Sequence, residues 1–390
     1  MPELDVAIVG AGPVGLLLAC LLRAKGLRVL VLERRERPSA RSAAIGITPP
    51  SLRILGRLGM ADELIAAGVK VRDCHLHGAR GRLGTVSFRD IPDEHRFILS
   101  MPQADVAARL RRRLGEGLVR DGWEVAGLEQ LPDSVRLRSA GGETVEARFA
   151  VACDGGRGRM RDLVGIAAPD RSYPCHFAMA DYVDRSGLGE DAHLYFTPEG
   201  SVESFPLPGG RRRWVVQTDR RLDSVPDGLI CRLARDRAGV GPEAGDRLPG
   251  ASTFTPRRFH CARYHRGRVA LCGDAAHGMT PAGGQGMNTG FADAEFLAEV
   301  LASADPLALL PAYTRYRRRA ASAAIFRAGW GMRLGTWRGR LASRLRELLL
   351  GRVLCAGPVG RRMGAFYAML TIPHNTLAAV PARALRLPRP

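Results

Sequence analysis

Gly10-Ala11-Gly12-Pro13-Val14-Gly15 sits between an apolar run, Asp5 to Gly10, and an apolar-faced segment from Pro13 to Lys25. The run reads as a buried strand and the segment as a helix. Gly10 then permits a tight turn, Gly12 lets backbone approach a pyrophosphate without a Cβ in the way, and Gly15 lets the helix pack on the strand. Pro13 and Val14 fall in the helix's first turn, where free N–H groups and the positive dipole end face anions. A second buried strand is predicted from Arg28 to Glu33, so Glu33 offers its carboxylate to a ribose hydroxyl, with Arg34 directly after it. The same carboxylate repels a ribose 2′-phosphate. A plain strand–helix turn is the alternative reading of such a motif taken alone.

A chain of 390 residues exceeds what one hydrophobic core usually organises, so two lobes are expected. The formal charge of +19 raises the question of nucleic acid or anionic lipid. Only Lys25 and Lys70 are lysines, however, and the arginines scatter from Arg23 to Arg389, which argues against one nucleic-acid stripe. The eight cysteines form no Cys-x-x-Cys pair, which argues against a zinc or thioredoxin-like site and fits reduced thiols. The start, MPELDVAIVG, lacks a basic leader, and no apolar stretch reaches bilayer-spanning length, so a cytoplasmic location is expected.

Helical patterns are predicted over Ser51 to Gly68 and Ala104 to Leu114, and alternation at Val145, Ala147, Phe149 and Val151 predicts a strand. From Tyr173 to Gln217 the runs Phe177–Val183, His193–Phe196, Val202–Phe205 and Trp214–Gln217 read as an antiparallel sheet. Val269 to Cys272 returns to a buried strand, and the chain from Gly286 is largely helical. Two further segments put a carboxylate and small residues just after a buried strand, as needed where backbone lies close to a polar ligand. One is Cys153-Asp154-Gly155-Gly156-Arg157-Gly158-Arg159-Met160-Arg161. The other is Gly273-Asp274-Ala275-Ala276-His277, continuing through Pro281-Ala282-Gly283-Gly284-Gln285-Gly286-Met287-Asn288, where a helix from Asn288 is expected. Each alone can be an ordinary loop with aspartate as a helix cap.

Together, in this order and spacing, the three segments resemble the group A flavoprotein monooxygenases, the family of para-hydroxybenzoate hydroxylase, over roughly residues 4 to 320. The resemblance implies an α/β fold: a Rossmann-like FAD-binding domain of the GR2 and para-hydroxybenzoate hydroxylase type, interleaved with a mostly antiparallel-sheet substrate domain and followed by a C-terminal helical segment. The expected division is 1–72, 97–170 and 260–310 for FAD, 73–96 and 171–259 for substrate, and 311–390 for the helical region. It places the ADP half of FAD on Gly10, Gly12, Gly15 and Glu33, and FAD and NAD(P)H contacts on Asp154 and Gly155. The ribitol contact falls on Asp274 with Gly273, and the isoalloxazine loop on Pro281 to Asn288, with Gly286 and Met287 in it. Arg41 and Gln103 match further cofactor-contacting positions. Two departures stand out: Gly158 replaces a usual serine, with Arg161 retained, and Tyr313-Thr314-Arg315-Tyr316-Arg317 lacks the acidic residue of a Tyr-x-x-Glu-Arg pattern.

The implied activity is an FAD-dependent monooxygenase (EC 1.14.13-like) that uses NAD(P)H and O2 to hydroxylate or epoxidise an aromatic or other electron-rich substrate through a flavin C4a-hydroperoxide. No catalytic triad or metal is then required, and His277 is expected to position rather than transfer protons. Candidate substrate-pocket residues are His193, Tyr195, Glu203, Phe205, Trp214 and Pro281, with Glu203 and His193 able to deprotonate a phenol. The expected partner is a small, aromatic or polycyclic molecule, with no nucleic acid, for a monomer or homodimer. Membrane-surface contact through the basic amphipathic stretch Arg338 to Leu370 is conceivable but not expected. The alternatives are a reductase or epoxidase of an isoprenoid lipid, a flavin-dependent halogenase, for which Trp330 and Trp337 do not form the Trp-x-Trp-x-Ile-Pro signature, and an arginine-driven anion- or nucleic-acid-binding protein.

Overall fold

The computed structural model describes residues 3–37, 44–355, 357–373 and 377. Arg41 lies outside the described residues.

The glycine-rich turn belongs to a mixed sheet whose strands run in the order His265–Arg266, Val269–Leu271, Thr144–Ala152, Leu4–Val9, Val29–Leu32 and Val119–Arg120. Leu4–Val9 pairs in parallel with Val29–Leu32 on one side and Thr144–Ala152 on the other, and Val269–Leu271 is parallel to Thr144–Ala152. Parallel strands end at the same edge, so the loops after Val9, Ala152 and Leu271 emerge together, where α/β sheets place their ligands. Helices Pro13–Ala24, Gln103–Leu114 and Gln285–Leu301 cover this sheet, and Leu16, Leu17, Val106, Leu110, Phe291 and Phe296 fill the core between. The helix expected over Ser51 to Gly68 is two, Pro49–Gly56 and Ala61–Ala67. Gly59, at φ 71°, takes a left-handed conformation that ends one and redirects the chain into the other.

A second sheet has the order Ser252–Phe254, His176–Val183, Arg211–Thr218, Gly200–Leu207, Ala192–Thr197, Asp73–Gly78 and Gly81–Ser87. Its pairs are antiparallel except Ala192–Thr197 with Asp73–Gly78. Successive side chains alternate faces. One face carries Ala178, Tyr182, Tyr195, Val202, Trp214 and Val216, and packs under helix Leu229–Ala238 through Ile230 and Ala234. The other face presents Phe177, Met179 and Val215, which meet Met332 of the long helix Pro306–Thr336 and Ala282 of the glycine loop.

Helix Arg340–Leu348 reverses the usual amphipathic logic. It buries Ser343 and Arg346 and leaves Leu341 84% exposed, with Leu345 and Leu348 also outward. Arg346 is held inside because its guanidinium donates to Trp337 O, Thr197 O and Ser343 Oγ, which ties the helix to the end of the second sheet. Among the described residues no helix is long and apolar enough to cross a membrane.

Candidate functional site

The three loops interlock through backbone. A Cβ on Gly10, where φ is 109°, would lie 2.4 Å from Cys153 O, and one on Gly15 would lie 2.1 Å from Gly10 O. Arg161 fastens the second loop to the third: its guanidinium donates to Gly156 O at 2.8 Å and Ala275 O at 3.0 Å, and lies over the Phe259 ring. Gly290 has no room for a side chain against Val14, so helix Gln285–Leu301 is drawn onto the first loop. That helix begins at Gln285, three residues before the expected Asn288, because Gly284 in the left-handed region is its N-cap. Asn288 instead sits in the first turn and locks a remote segment. Its Nδ2 donates to Gly46 O at 2.9 Å and its Oδ1 accepts from Thr48 N at 2.9 Å.

The residues present fit FAD. Gly12 has no atom within 4 Å of its Cβ direction, and neither do Gly155 and Gly284, so open space borders all three loops. Glu33 is buried, with Oε2 accepting from Ala11 N at 2.8 Å and Oε1 from Arg35 N at 3.0 Å, which fixes the carboxylate at the mouth of the glycine turn. Arg34 points to solvent beside it. Gln103 opens helix Gln103–Leu114 and its Oε1 accepts from Ala44 N at 3.3 Å. Asp274 opens into the cleft, and Gly286 approaches its Oδ1 at 3.7 Å from the Cβ position. Protein packed around the cleft raises the Asp274 pKa; His277 opposes this and Asp293 adds to it. Pro281 is exposed to the cleft, while Met287 is buried behind it. Two buried polar atoms in the cradle, Asp154 Oδ1 and Gln285 Oε1, have no hydrogen-bond partner among the described residues. Asp154 Oδ2 accepts from Met160 N at 3.0 Å, and a Cβ on Gly158 would strike its carboxyl. The glycine at position 158 is thus what admits this Asp154 rotamer. Burial raises the Asp154 pKa, opposed by the Met160 N–H and Arg161.

Behind the third loop lies a buried charged unit. His277 Nε2 donates to Asp293 Oδ2 at 2.6 Å, and Arg317 Nε donates to Asp293 Oδ1 at 2.7 Å. Gly273 N also donates to Oδ2, at 3.3 Å, so the triad holds the loop's first residue. His277 is therefore a positioning residue, and the Tyr313 to Arg317 segment serves the same end, since Tyr313 Oη donates to Leu271 O. Burial alone would lift the Asp293 carboxyl, but His277 and Arg317 outweigh it and hold the pKa below the ordinary aspartate value. The stability this contributes is present above about pH 4 and is lost as pH falls through the depressed folded-state pKa. Asp293→Asn is expected to cost about 1.5–3 kcal/mol, read as a lower denaturant midpoint at neutral pH.

The sheet's pleat divides the candidate pocket residues. Tyr195 and Trp214 belong to the cluster under helix Leu229–Ala238, and His193 shares their face. All three therefore stand on the face away from the glycine loop, which corrects their expected place beside the flavin. His193 stacks with His77 and Tyr195 and meets the His75 ring at a tilt, and its Nδ1 lies 3.2 Å from His77 Nε2. Burial, then the charge of His75, pushes the His193 pKa down to about 4. A histidine kept neutral in the fold takes up its proton more readily when unfolded. Stability contributed by His193 thus declines as pH falls from about 6.5 towards the folded-state value. His193→Gln is expected to shrink the stability difference between pH 7.5 and pH 5, measured by urea unfolding.

Glu203 and Phe205 alternate with Val202 and so share the face of Val215, opposite Glu203 in the register. The Glu203 carboxyl is half-buried, makes no hydrogen bond or ion pair among the described residues, and is pushed up to about 7 by burial. Two neighbours had no sequence signal. Cys74, from the edge strand Asp73–Gly78, feels the Glu203 charge. Tyr367, from helix Gly357–Tyr367, lies 3.4 Å from the Cβ position of Gly283, and burial pushes its phenol up to about 12.

The family model described as "FAD binding domain" matches residues 3–328. Rifampicin monooxygenase of Streptomyces venezuelae is 32% identical over 312 residues, 77% of this chain and 64% of that protein, so the chain spans just under two thirds of that relative's length. The 12-dehydrotetracycline 5-monooxygenase/anhydrotetracycline 6-monooxygenase of Streptomyces rimosus is 34% identical over 346 residues, 82% of this chain and 68% of that protein. Among solved structures, the anhydrotetracycline hydroxylase OxyS from Streptomyces rimosus superposes with a TM-score of 0.78 at 30% identity, covering 95% of this chain and 76% of that one. The Diels-Alderase of the pyrroindomycin biosynthetic pathway superposes with a TM-score of 0.81 at 27% identity, over 93% and 80%. The interlocked glycine loops, the open phosphate cradle and these matches agree: the chain belongs to the FAD-binding, para-hydroxybenzoate hydroxylase-like family of flavoprotein monooxygenases, and its cofactor is FAD.

Proposed function

We propose that this protein is an NAD(P)H- and O2-dependent monooxygenase that hydroxylates or epoxidises an electron-rich, aromatic or polycyclic small molecule, in specialised metabolism or aromatic catabolism. The observation that carries the reading is the convergence of the three loops beneath a sheet face bearing an unpartnered carboxylate, Glu203. Relatives named for rifampicin, tetracycline and hydroxyphenylpropionate oxidation support the substrate class. A relative named dialkyldecalin synthase and a structural neighbour named as a Diels-Alderase sit on the same scaffold, so the fold alone does not set the reaction.

Bound FAD supplies the redox chemistry: it accepts a hydride and activates O2. Gly10, Gly12, Gly15, Glu33 and the helix start at Pro13 and Val14 hold its ADP half. Asp154, Gly155, Gly273, Asp274 and the Pro281 to Asn288 loop hold the remainder, with Arg34 and Gln103 at the rim; Arg41 is a further cofactor contact proposed on the family resemblance alone. Phe205 and Pro281 shape the substrate side of the cleft and help keep water out. Glu203 takes the proton of a substrate hydroxyl, which raises electron density on the ring carbon attacked. In this reading 1–72, 97–170 and 260–310 form the FAD domain, 73–96 and 171–259 the substrate domain, and 311–390 the helical region. The pairing of Asp73–Gly78 into the second sheet supports that division. The protein would work in the cytoplasm as a monomer or homodimer, without nucleic acid.

FAD-reconstituted protein should show a flavin absorbance spectrum and oxidise NADH or NADPH faster when given a phenol, indole or polycyclic aromatic, with an oxygenated product by mass spectrometry. A flavin-loaded protein that oxygenates none of them would remove the proposal.

A further inference from the structure

A second cavity, of about 520 Å³, opens where the second sheet meets the end of the long helix. Four arginines line it against one acid, Asp219, so its walls carry a net charge of +3. Arg171 and Arg258 stand directly opposite each other in an antiparallel pair, Arg171–Ser172 with Arg257–His260. Like charges in that position destabilise a sheet unless something negative lies between or beside them. Neither they nor Arg333 makes an ion pair among the described residues, and Arg338 alone is matched, by Asp219. The cavity is also lined by Tyr173, a residue only 9% exposed whose hydroxyl has no hydrogen-bond partner among the described residues, and by Trp337, which offers an aromatic wall.

The cavity borders the cofactor loops. Tyr173 and Cys175 belong to the cluster that includes Met332 and touches Ala282. Phe259, next to Arg258, lies 3.3 Å from the Cβ position of Gly156 and beneath Arg161. A ligand held here by its charged end can therefore reach towards the flavin loops with its other end.

We propose that this cavity is a second ligand site, which takes a polyanionic group of the phosphate or pyrophosphate type carried by a ligand other than FAD. Guanidinium pairs match such oxygens bidentately, and three unmatched ones are more than a monoanion neutralises. The group's source is either the nicotinamide dinucleotide reductant or an anionic organic substrate. The choice between those two rests on the monooxygenase reading, whereas the anion site itself does not.

The test uses FAD-loaded protein titrated calorimetrically with inorganic pyrophosphate at low ionic strength. Binding is expected, with Arg258→Ala and Arg333→Ala each weakening it about tenfold, as loss of one charge-assisted contact should. Arg319→Ala, an exposed arginine elsewhere on the long helix, removes the same charge and is expected to change nothing. The flavin spectrum reports that all variants stay loaded. In steady state, pyrophosphate competing with NADH or NADPH, and a KM for the reductant raised about tenfold in both cavity variants, would name the reductant as the source. The same pattern against the aromatic substrate would name the substrate. No heat of binding, or equal weakening in all three variants, would overturn the site; binding that alters neither KM would overturn its assignment to the reductant or the substrate.

Discussion

Replacing Gly12 with aspartate should give a folded protein that holds no flavin. Gly12 adopts φ −72° and ψ 172°, extended backbone open to any residue, and no atom lies within 4 Å of its Cβ direction. The polypeptide therefore accepts the substitution. What the new carboxylate meets is the space a diphosphate needs. Two unit charges 4 Å apart in a partly exposed site repel by about 4 kcal/mol, roughly a thousandfold in affinity. The N–H groups at the start of helix Pro13–Ala24 would be screened as well. Flavin content after reconstitution and desalting, with a fluorescence titration for the dissociation constant, reads the effect. The thermal midpoint should match that of wild-type apoprotein, since ligand-linked stability disappears in both. Gly10→Ala and Gly15→Ala are the contrasting pair. Their methyl groups collide with Cys153 O and Gly10 O, so they should damage the fold itself. A Gly12→Asp protein that keeps a wild-type flavin content would show that the diphosphate does not lie over this turn.

The same contrast explains what was legible in the sequence. Gly10, Gly12 and Gly15 announce their duties because each is a local backbone constraint, written within six residues of chain. The strand runs around Val6, Val31, Val151 and Val269 were likewise readable, since a sheet buried on both faces needs continuous apolar residues. The second sheet was readable as strands but not as faces. Alternation separates His193 and Tyr195 from Leu194 and Phe196, yet nothing in those six residues says which set helix Leu229–Ala238 will cover. Aromatic character pointed to the wrong set, because Trp214 and Tyr195 are large enough to anchor a core. Cys74, Tyr367 and the Thr48 contact of Asn288 were invisible for a different reason. They reach the site from far along the chain, and sequence spacing carries no information about such contacts. The inward Arg346 follows the same rule, since it is satisfied by carbonyls that only the folded chain brings near.

Glu203 carries the sharpest chemical consequence of that face assignment. It lies beside Val215 and Leu194 on the cleft side, and among the described residues its carboxyl has no cation to stabilise the charged form. Burial therefore pushes its pKa up to about 7, where a carboxylate is basic enough to draw a phenolic proton and is still substantially ionised at neutral pH. Only the ionised form accepts a proton. With a phenolic substrate, kcat/KM should rise with pH through about 7 and level off above it. Glu203→Gln keeps the shape and removes the basic atom, and should lower kcat by about 10²–10⁴-fold and abolish that rising limb. Flavin content and reduction by NAD(P)H should stay unchanged, because Glu203 lies on the sheet face and not in the cofactor loops. A substrate lacking an ionisable hydroxyl should lose little in the same variant. Full activity in Glu203→Gln with the limb intact would instead place the proton acceptor elsewhere.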